Sequence, residues 1–438
     1  MSKVSKSVQK GMNTMNAIYN SATENYRQIV PKLLDDGSNL TQIGNVILDD
    51  AYKPVLNEFV STLINRIALT IVRNKSFNNP LSIFKKGSVP LGTDIQEIYT
   101  NPANKKPYEY SNSAMAELLT IEDPDTHVAY YRRNVMDKYP VTFSREGLQG
   151  AFVSWDKFND FIISITQSLY SGCYIDDFKY TKVIFDSLYN SGKAVFQVVN
   201  DVTDEASGKA FTKILRKLYL NMTFPSTEYN AFSKINEKGQ TVTTWTTEDR
   251  ICVILTSDVN VELTVEVLAY AFNMDKADLM GRVFVVDKFD NPELKGAIFD
   301  ESFLQIYDNL FRMDEFYNAS TMSWKDYLHR WATFGASPFA NAVLLVTEEP
   351  TPATNIEFAT PTVEVQKGSQ ANATLNITPG TGTSEINFAV ENETIATVTK
   401  TDNKNCKVTG VMQGQTKLIA TSDNGLTAEA TINVTAGA

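Results

Sequence analysis

Gly87-Ser88-Val89-Pro90-Leu91-Gly92-Thr93, preceded by Lys85 and Lys86, has the G-x-x-x-x-G spacing of a loop that cradles phosphate. That chemistry needs a lysine ahead of the hydroxyl residue to reach the phosphates, and a hydroxyl to hold magnesium. Here Thr93 follows Gly92 directly, with no lysine between them, and Pro90 removes a backbone N–H that would face the anion. No helix pattern follows. "TDIQEIYT" instead alternates like a strand. The stretch therefore reads as an extended β-hairpin with glycines at its bends.

The other chemical candidates are weaker. "PGTGTSE" from Pro379 lacks a third glycine and a following helix, so it reads as a turn between strands. The acidic run "DVTDEASG" from Asp201 has the wrong spacing for a calcium loop. The two histidines, His127 and His329, have no partner at metal-ligand spacing. His329 sits among Trp324, Tyr327 and Trp331, as a packed or interfacial histidine would. No G-x-S-x-G elbow is present. Adjacent acids such as Asp35-Asp36 and Asp49-Asp50 do not make a catalytic pair. The reading is of no catalytic residue, no metal site and no cofactor.

Composition narrows the class. The net charge is −11 and the pI about 4.9, which argues against a protein whose main task is gripping nucleic acid. Of that charge, −8 falls in residues 1–353 and −3 beyond. No run approaches the ~20 apolar residues of a membrane helix, and "MSKVSKSVQKGMNTMN" does not open a secretory signal. Cys173, Cys252 and Cys406 are odd in number and far apart, as reduced core thiols are. A soluble chain made in a cytosol is expected.

Two regions must position whatever the chain does. From Asn355 on there is no Trp, Tyr, His or Arg. Ala373, Leu375 and Ile377, then Ile386, Phe388 and Val390, then Ala430, Ile432 and Val434 alternate with polar residues. Short strands of period two, separated by "TPGTGTS", "TDNKN", "MQGQ" and "SDNG", predict a β-sandwich over 355–438. "TEEPTPATN" (Thr347 to Asn355) is its proline-broken linker. The first 350 residues mix helices and strands. Trp155, Phe158, Phe161, Ile162, Ile165 and Leu169 form one helical stripe, capped by Ser154 and ended at Gly172. "YIDDFKYTKVIFDSLYNSG" reads as a second helix and "TVEVLAYAFN" as a third, opened by Thr264. "RICVILT", "RVFVVD" and "NAVLLVT" read as strands. Residues 74–150, with six prolines, look like an arm or lid rather than core, and the first 45 residues also read as an arm.

Several blocks carry a resemblance. "NNPLSIFKKGSVPLGTDIQEIYT" from Asn78 resembles the extended loop of the major capsid proteins of phi-29-like small podoviruses. "AFVSWDKF" from Ala151 resembles the start of that family's spine helix. "VLAYAFNMDKADLMGRVFVVDKF" from Val267 and "FANAVLLV" from Phe339 are similar to its axial domain and the end of its shell domain. The likeness runs from about Val46 to Val346. "NETIATV", "VTGVMQGQTKLIATS" and "ATINVT" resemble a bacterial Ig-like domain of group two.

The resemblance implies an α+β Hong Kong 97-type capsid fold followed by an all-β Ig-like sandwich. Its expected parts are an N-terminal arm (1–45) and a shell domain (46–350) before the sandwich (355–438). Within the shell domain come an extended loop (about 74–110), a spine helix (about 152–171) and an axial domain (within about 195–335). The implied function is structural: many copies tile an icosahedral or prolate head around the dsDNA of a tailed phage, assembled in the host bacterial cytoplasm and ending in the virion. Implied partners are copies of itself in pentamers and hexamers, a scaffolding protein, a portal, and packaged DNA by weak non-specific contact. Head fibres or host cell-wall glycans are further candidates, and no membrane is involved. The loop residues expected at inter-subunit contacts are Phe84, Lys85, Lys86, Gly87, Pro90 and Gly92. The competing reading is a bacterial surface or adhesive protein with a C-terminal Ig-like module, against which the missing signal peptide and anchor speak.

Overall fold

The computed structural model describes residues 6–68, 77–105, 122–236, 239–263, 282–379 and 382–436. The helix expected from Thr264 lies outside them. The chain divides into two compact units. One is formed by residues 1–95, 130–180 and 305–335; the other by 96–129, 181–304 and 336–438.

In the first unit, helices α1 (Lys6–Ser21), α2 (Glu24–Ile29), α3 (Leu40–Ile47) and α4 (Lys53–Ala68) come first. Met12, Met15 and Ile18 recur at helical spacing on α1 and are buried with Phe59 and Val60 of α4. Thr23 caps α2 by accepting from the Tyr26 N–H. Its own hydroxyl donates to the Glu58 carboxylate of α4 at 2.8 Å. Residues of the expected arm thus line this unit's core, because each buried side chain of this kind contributes about 2 kcal/mol.

A sheet of order β1-β9-β10-β4 packs with these helices. Its strands are β1 (Lys85–Ser88), β4 (Val135–Ser144), β9 (Leu304–Asn318) and β10 (Ser323–Ala336). β10 runs antiparallel to β4, with Asp326 opposite Val141. Helix α5 (Arg145–Ala151) follows β4, capped by Ser144.

Next comes α6 (Trp155–Ser191), 37 residues long and about 55 Å at 1.5 Å per residue. It corrects the expected spine helix of about 152–171: the two helices read from the sequence are one. Ser154 does cap it, accepting from the Lys157 N–H. Phe158, Ile162, Ile165 and Leu169 are buried as the stripe requires. Gly172 does not end the helix. A Cβ there would lie 3.3 Å from the Tyr139 ring, so the glycine makes room for β4. The Tyr139 hydroxyl donates to Asp176 one turn on, at 3.1 Å.

The hairpin expected from Phe84 to Thr100 is also corrected. β1 does not pair with β2 (Ile95–Thr100). It lies parallel to β9, with Lys85 opposite Ile306, and the Val89 N–H continues to the Asp308 carbonyl. β2 takes β3 (Thr126–Tyr131) as partner. With β1's ladder groups facing β9, the two-stranded ribbon forms one strand later.

The second unit is built on a mixed sheet of order β5-β11-β8-β6-β7. β5 is Val195–Val198, β6 Ile251–Thr256, β7 Val283–Val286, β8 Leu294–Asp300 and β11 Ala342–Val346. The strands read from "RICVILT", "RVFVVD" and "NAVLLVT" are all present. Both faces of β6 are buried. Val253 and Leu255 meet α7 (Glu205–Met222) through Leu215 and Met222. An Asp204–Ser207 capping box starts α7. Across the sheet, Phe185 of α6 packs on Phe289, Phe299 and Phe303.

The last strands of this unit form two four-stranded sheets. One has the order β12-β14-β17-β16 (Asn355–Phe358, Gln370–Thr378, Asn405–Gly410, Ala396–Lys400). The other is β13-β19-β18-β15 (Thr362–Gln366, Thr427–Thr435, Gly414–Ser422, Ile386–Val390). β13 pairs parallel with β19 and the other pairings are antiparallel. Ala373, Leu375, Ile377, Ile386, Ala430, Ile432 and Val434 fill the space between the sheets, as alternation requires.

Candidate functional site

The site of interest is the root of the loop that begins at Phe84. Asn79 starts a short 3-10 turn over Pro80–Phe84, its side chain accepting from the Leu81 N–H at 2.9 Å. That turn drives Phe84 into the first unit, where it is 3% exposed. Lys85 follows on β1, and its Nζ lies 2.9 Å from Asp177 of α6 and 3.4 Å from Asp308 of β9. Arg330 of β10, 1% exposed, reaches the same two carboxylates at 3.2 and 2.7 Å. Two cations and two anions from four elements thus meet where the loop leaves the unit.

A buried cluster of this kind adds little net stability over apolar packing, because the ions must be stripped of water. It fixes geometry instead: removing any one member leaves the remaining charges unbalanced in a poorly solvated place. Cys173, one turn before Asp177, feels the same burial, which pushes its thiol up to about 12. Burial also lifts Cys252 to about 12 and Cys406 to about 11. All three thiols are free and unreactive at neutral pH.

Beyond Lys85 the chain turns outward. Lys86, Gly87, Ser88, Pro90 and Gly92 are exposed or nearly so, as are Ile83 and Leu91. Gly87 (φ 122°) and Gly92 (φ 84°) take left-handed conformations that side chains resist. The Thr93 hydroxyl donates back to the Pro90 carbonyl at 2.8 Å, closing the bend. A strand follows, not the helix whose N-terminus a phosphate loop uses. Of the six expected contact residues, Phe84 and Lys85 are engaged inside their own chain. Lys86, Gly87, Pro90 and Gly92 are presented outward.

In the second unit the β2–β3 ribbon is anchored along one face. Glu97 accepts from the Ser337 hydroxyl at 2.8 Å. Tyr99 stacks on Phe339 with ring centres 5.7 Å apart, and its hydroxyl donates to the Thr243 carbonyl. Asn101 bonds Asp125, the Thr241 carbonyl and the Thr243 N–H. His127 is buried against Phe232, 4.6 Å between centres. The opposite face carries Ile98 and Val128 into solvent. A cavity of about 600 Å³ lies at the anchored side, lined by Tyr99, Trp245, Arg250, Asp300, Phe339 and Asn341. Among the described residues no group of three or more His, Cys, Asp or Glu is placed to hold a metal. No helix among them is long and apolar enough to cross a membrane.

Sequence reasoning missed Asp177, Asp308 and Arg330. The signal was present in "WKDYLHRWA": on a strand, Trp324, Asp326, Leu328, Arg330 and Ala332 share one face. An Asp and an Arg in an otherwise apolar row mark buried charges. Asp326 is the more unusual. It is 0% exposed and neither carboxylate oxygen finds a hydrogen-bond partner. Burial, and then the charge of Glu315, pushes its carboxyl up to about 7.

This arrangement, with a long helix beside a sheet, a mixed-sheet unit and an outward loop, has counterparts among solved structures. The capsid structure of Staphylococcus phage Andhra matches 64% of this chain and 87% of its own, with a TM-score of 0.52 at 14% identity. The fold is therefore the Hong Kong 97-type capsid fold, followed by a sandwich. Residues 15–346 match the family described as Phi29-like phage major capsid protein, and residues 352–434 match the bacterial Ig-like domain of group 2. The major capsid protein of Bacillus phage B103 is 34% identical over 374 residues, covering 85% of this chain and 80% of the relative. That of Bacillus phage PZA is 29% identical over 436 residues, covering 99% and 92%. The chain belongs to the Phi29-like phage major capsid protein family. Its role is structural, in the shell of a virion, and the surface-adhesin reading is set aside.

Proposed function

We propose that many copies of this chain tile a closed icosahedral or prolate head around packaged dsDNA, as pentamers and hexamers. The family match across residues 15–346 carries this reading. In it, the loop beyond Lys85 reaches a neighbouring copy, with Lys86, Gly87, Pro90 and Gly92 at the contact. The buried Lys85–Asp177–Asp308–Arg330 cluster supports that role, because a projecting loop needs a root that cannot swing.

Assembly in the host bacterial cytoplasm takes a scaffolding protein and a portal in this reading. An acidic wall lets DNA slide during filling and ejection, since few counterions are released on contact. The sandwich faces outward. It has no tyrosine, tryptophan or arginine to anchor a tight interface, so its contacts with head fibres or cell-wall glycans are weak and repeated. The test is to co-express the chain with its phage's scaffolding protein and size the product by light scattering and electron microscopy. Closed particles are expected; only small soluble species, from a folded chain, would refute the reading.

A further inference from the structure

The residues joining the shell region to the sandwich are held along their length. On one side, the Tyr189 hydroxyl in the last turns of α6 donates to the Glu348 carbonyl at 3.0 Å. The Pro352 ring sits on Gly192 (φ 67°), where a Cβ would come within 2.9 Å of Pro352 Cγ. The Thr383 hydroxyl donates to the Asn190 carbonyl at 3.1 Å. On the other side, the Ala353 N–H donates to Ser384 Oγ at 2.9 Å, and the Asn424 amide donates to the Ala353 carbonyl at 2.6 Å. The Thr383 N–H reaches the Thr351 carbonyl at 2.9 Å. A short polar tether left to itself would make none of these bonds.

Beside this strap lies a cavity of about 440 Å³, lined by Asp186, Asn190, Asp290, Glu385, Asn387 and Asp423. The carboxylates come from both sides: Asp186 and Asp290 from the shell region, Glu385 and Asp423 from the sandwich. The nearby cations are already engaged. Lys182 pairs with Asp287 at 2.6 Å and Lys400 with Glu385 at 3.1 Å. Asp186 accepts the N–H groups of Asn291 and Asp290, and both oxygens of Asp423 are closed off from solvent.

We propose that residues 348–354 form a strap that seats the Ig-like sandwich on the end of α6, and that the two carboxyls shielded from water beside it, Asp186 and Asp423, make this seat firm in acid and looser as pH rises. Asp290 and Glu385 are exposed, so Asp186, buried, and Asp423, half-buried, carry the effect: loss of water disfavours a carboxylate, and protonation removes that cost. Burial holds the Asp186 and Asp423 carboxyls above their ordinary range, in the direction this requires. Where seating raises a carboxyl's affinity for protons, acid favours the seated form and alkali the released one.

Hydrogen–deuterium exchange on the full-length, unassembled chain tests this. Protection of the amides in 348–354, corrected for intrinsic rates, is compared at about pH 5 and about pH 8. Protection is expected to fall about tenfold or more at the higher pH, while sandwich strands stay protected. Asp423→Asn, or Asp186→Asn should the first fail to fold, is expected to keep the strap protected at both values. Gly192→Ala is expected to expose it at both. A strap equally protected at both pH values, or exchanging like an unstructured chain throughout, would overturn the proposal.

Discussion

Lys85 and Asp177 meet 2.9 Å apart, joining the first strand of the loop root to the middle of the long helix α6. Arg330 closes the same cluster from β10. The outward loop is therefore rooted by charge as well as by backbone pairing. Asp177→Asn leaves Arg330 and Lys85 sharing one carboxylate in a buried place. A loss of roughly 3 kcal/mol is expected, since breaking a buried pair costs about 3–5 kcal/mol. Urea denaturation with an unchanged m-value measures it. A midpoint equal to the parent's would refute the cluster's role.

Asp326 predicts a pH dependence with a definite sign. Its folded carboxyl titrates at about 7, above the ordinary aspartate value of 3.8. The fold thus prefers the neutral acid. This residue's cost to stability is absent below about pH 4, grows as pH rises, and is complete above about pH 7. Asp326→Asn should match the parent in acid and exceed it at about pH 8 by a few kcal/mol. Parallel stability curves for the two chains across this range would contradict the assignment.

Replacing residues 87–93 by a short flexible linker should leave a folded monomer that does not close shells, because the root at Phe84 and Lys85 is kept. Circular dichroism checks the fold and light scattering the assembly. Normal particles from this variant would remove the loop from the contacts.

Truncation after Pro352 should give closed shells, less heat-stable at most. The sandwich buries its own core between its two sheets, so residues 353–436 should fold alone. A folded truncated monomer that never assembles would place the sandwich in the essential lattice.

Assembled particles should survive reducing agent and chelator. The three cysteines are buried and free, and repeated weak contacts hold a closed shell by multivalency. Calorimetry with ATP or GTP should show no binding by the unassembled chain. Particles dispersed by either agent, or micromolar nucleotide affinity, would each refute the corresponding expectation.

Periodicity made the strands from "RICVILT" to "NAVLLVT" and the inward rows of the sandwich legible, since burial on one or both faces leaves a direct mark on sequence. Glycine misled in two places. Gly172 reads as a helix end, yet it serves the approach of Tyr139, a long-range contact that local pattern cannot carry. Gly87 and Gly92 do mark bends, but β1's partner is β9, more than two hundred residues away in sequence. The six loop residues were separable only once Asp177 and Asp308 were placed, because a half-buried lysine and an exposed one look alike in a string. The first 45 residues appeared arm-like for want of strong apolar runs, although Met12, Met15 and Ile18 suffice to bury α1.

The sandwich between β12 and β19 has Phe358 and Phe388 for aromatic groups, and no tryptophan or tyrosine. It is therefore nearly silent in near-ultraviolet absorption and emission. All four tryptophans belong to the shell region, among them Trp324, stacked on Phe143 with ring centres 5.6 Å apart. Indole fluorescence will follow melting of the shell region alone, while backbone dichroism reports both parts. The chain carries its own optical means of telling whether the two come apart together or in turn.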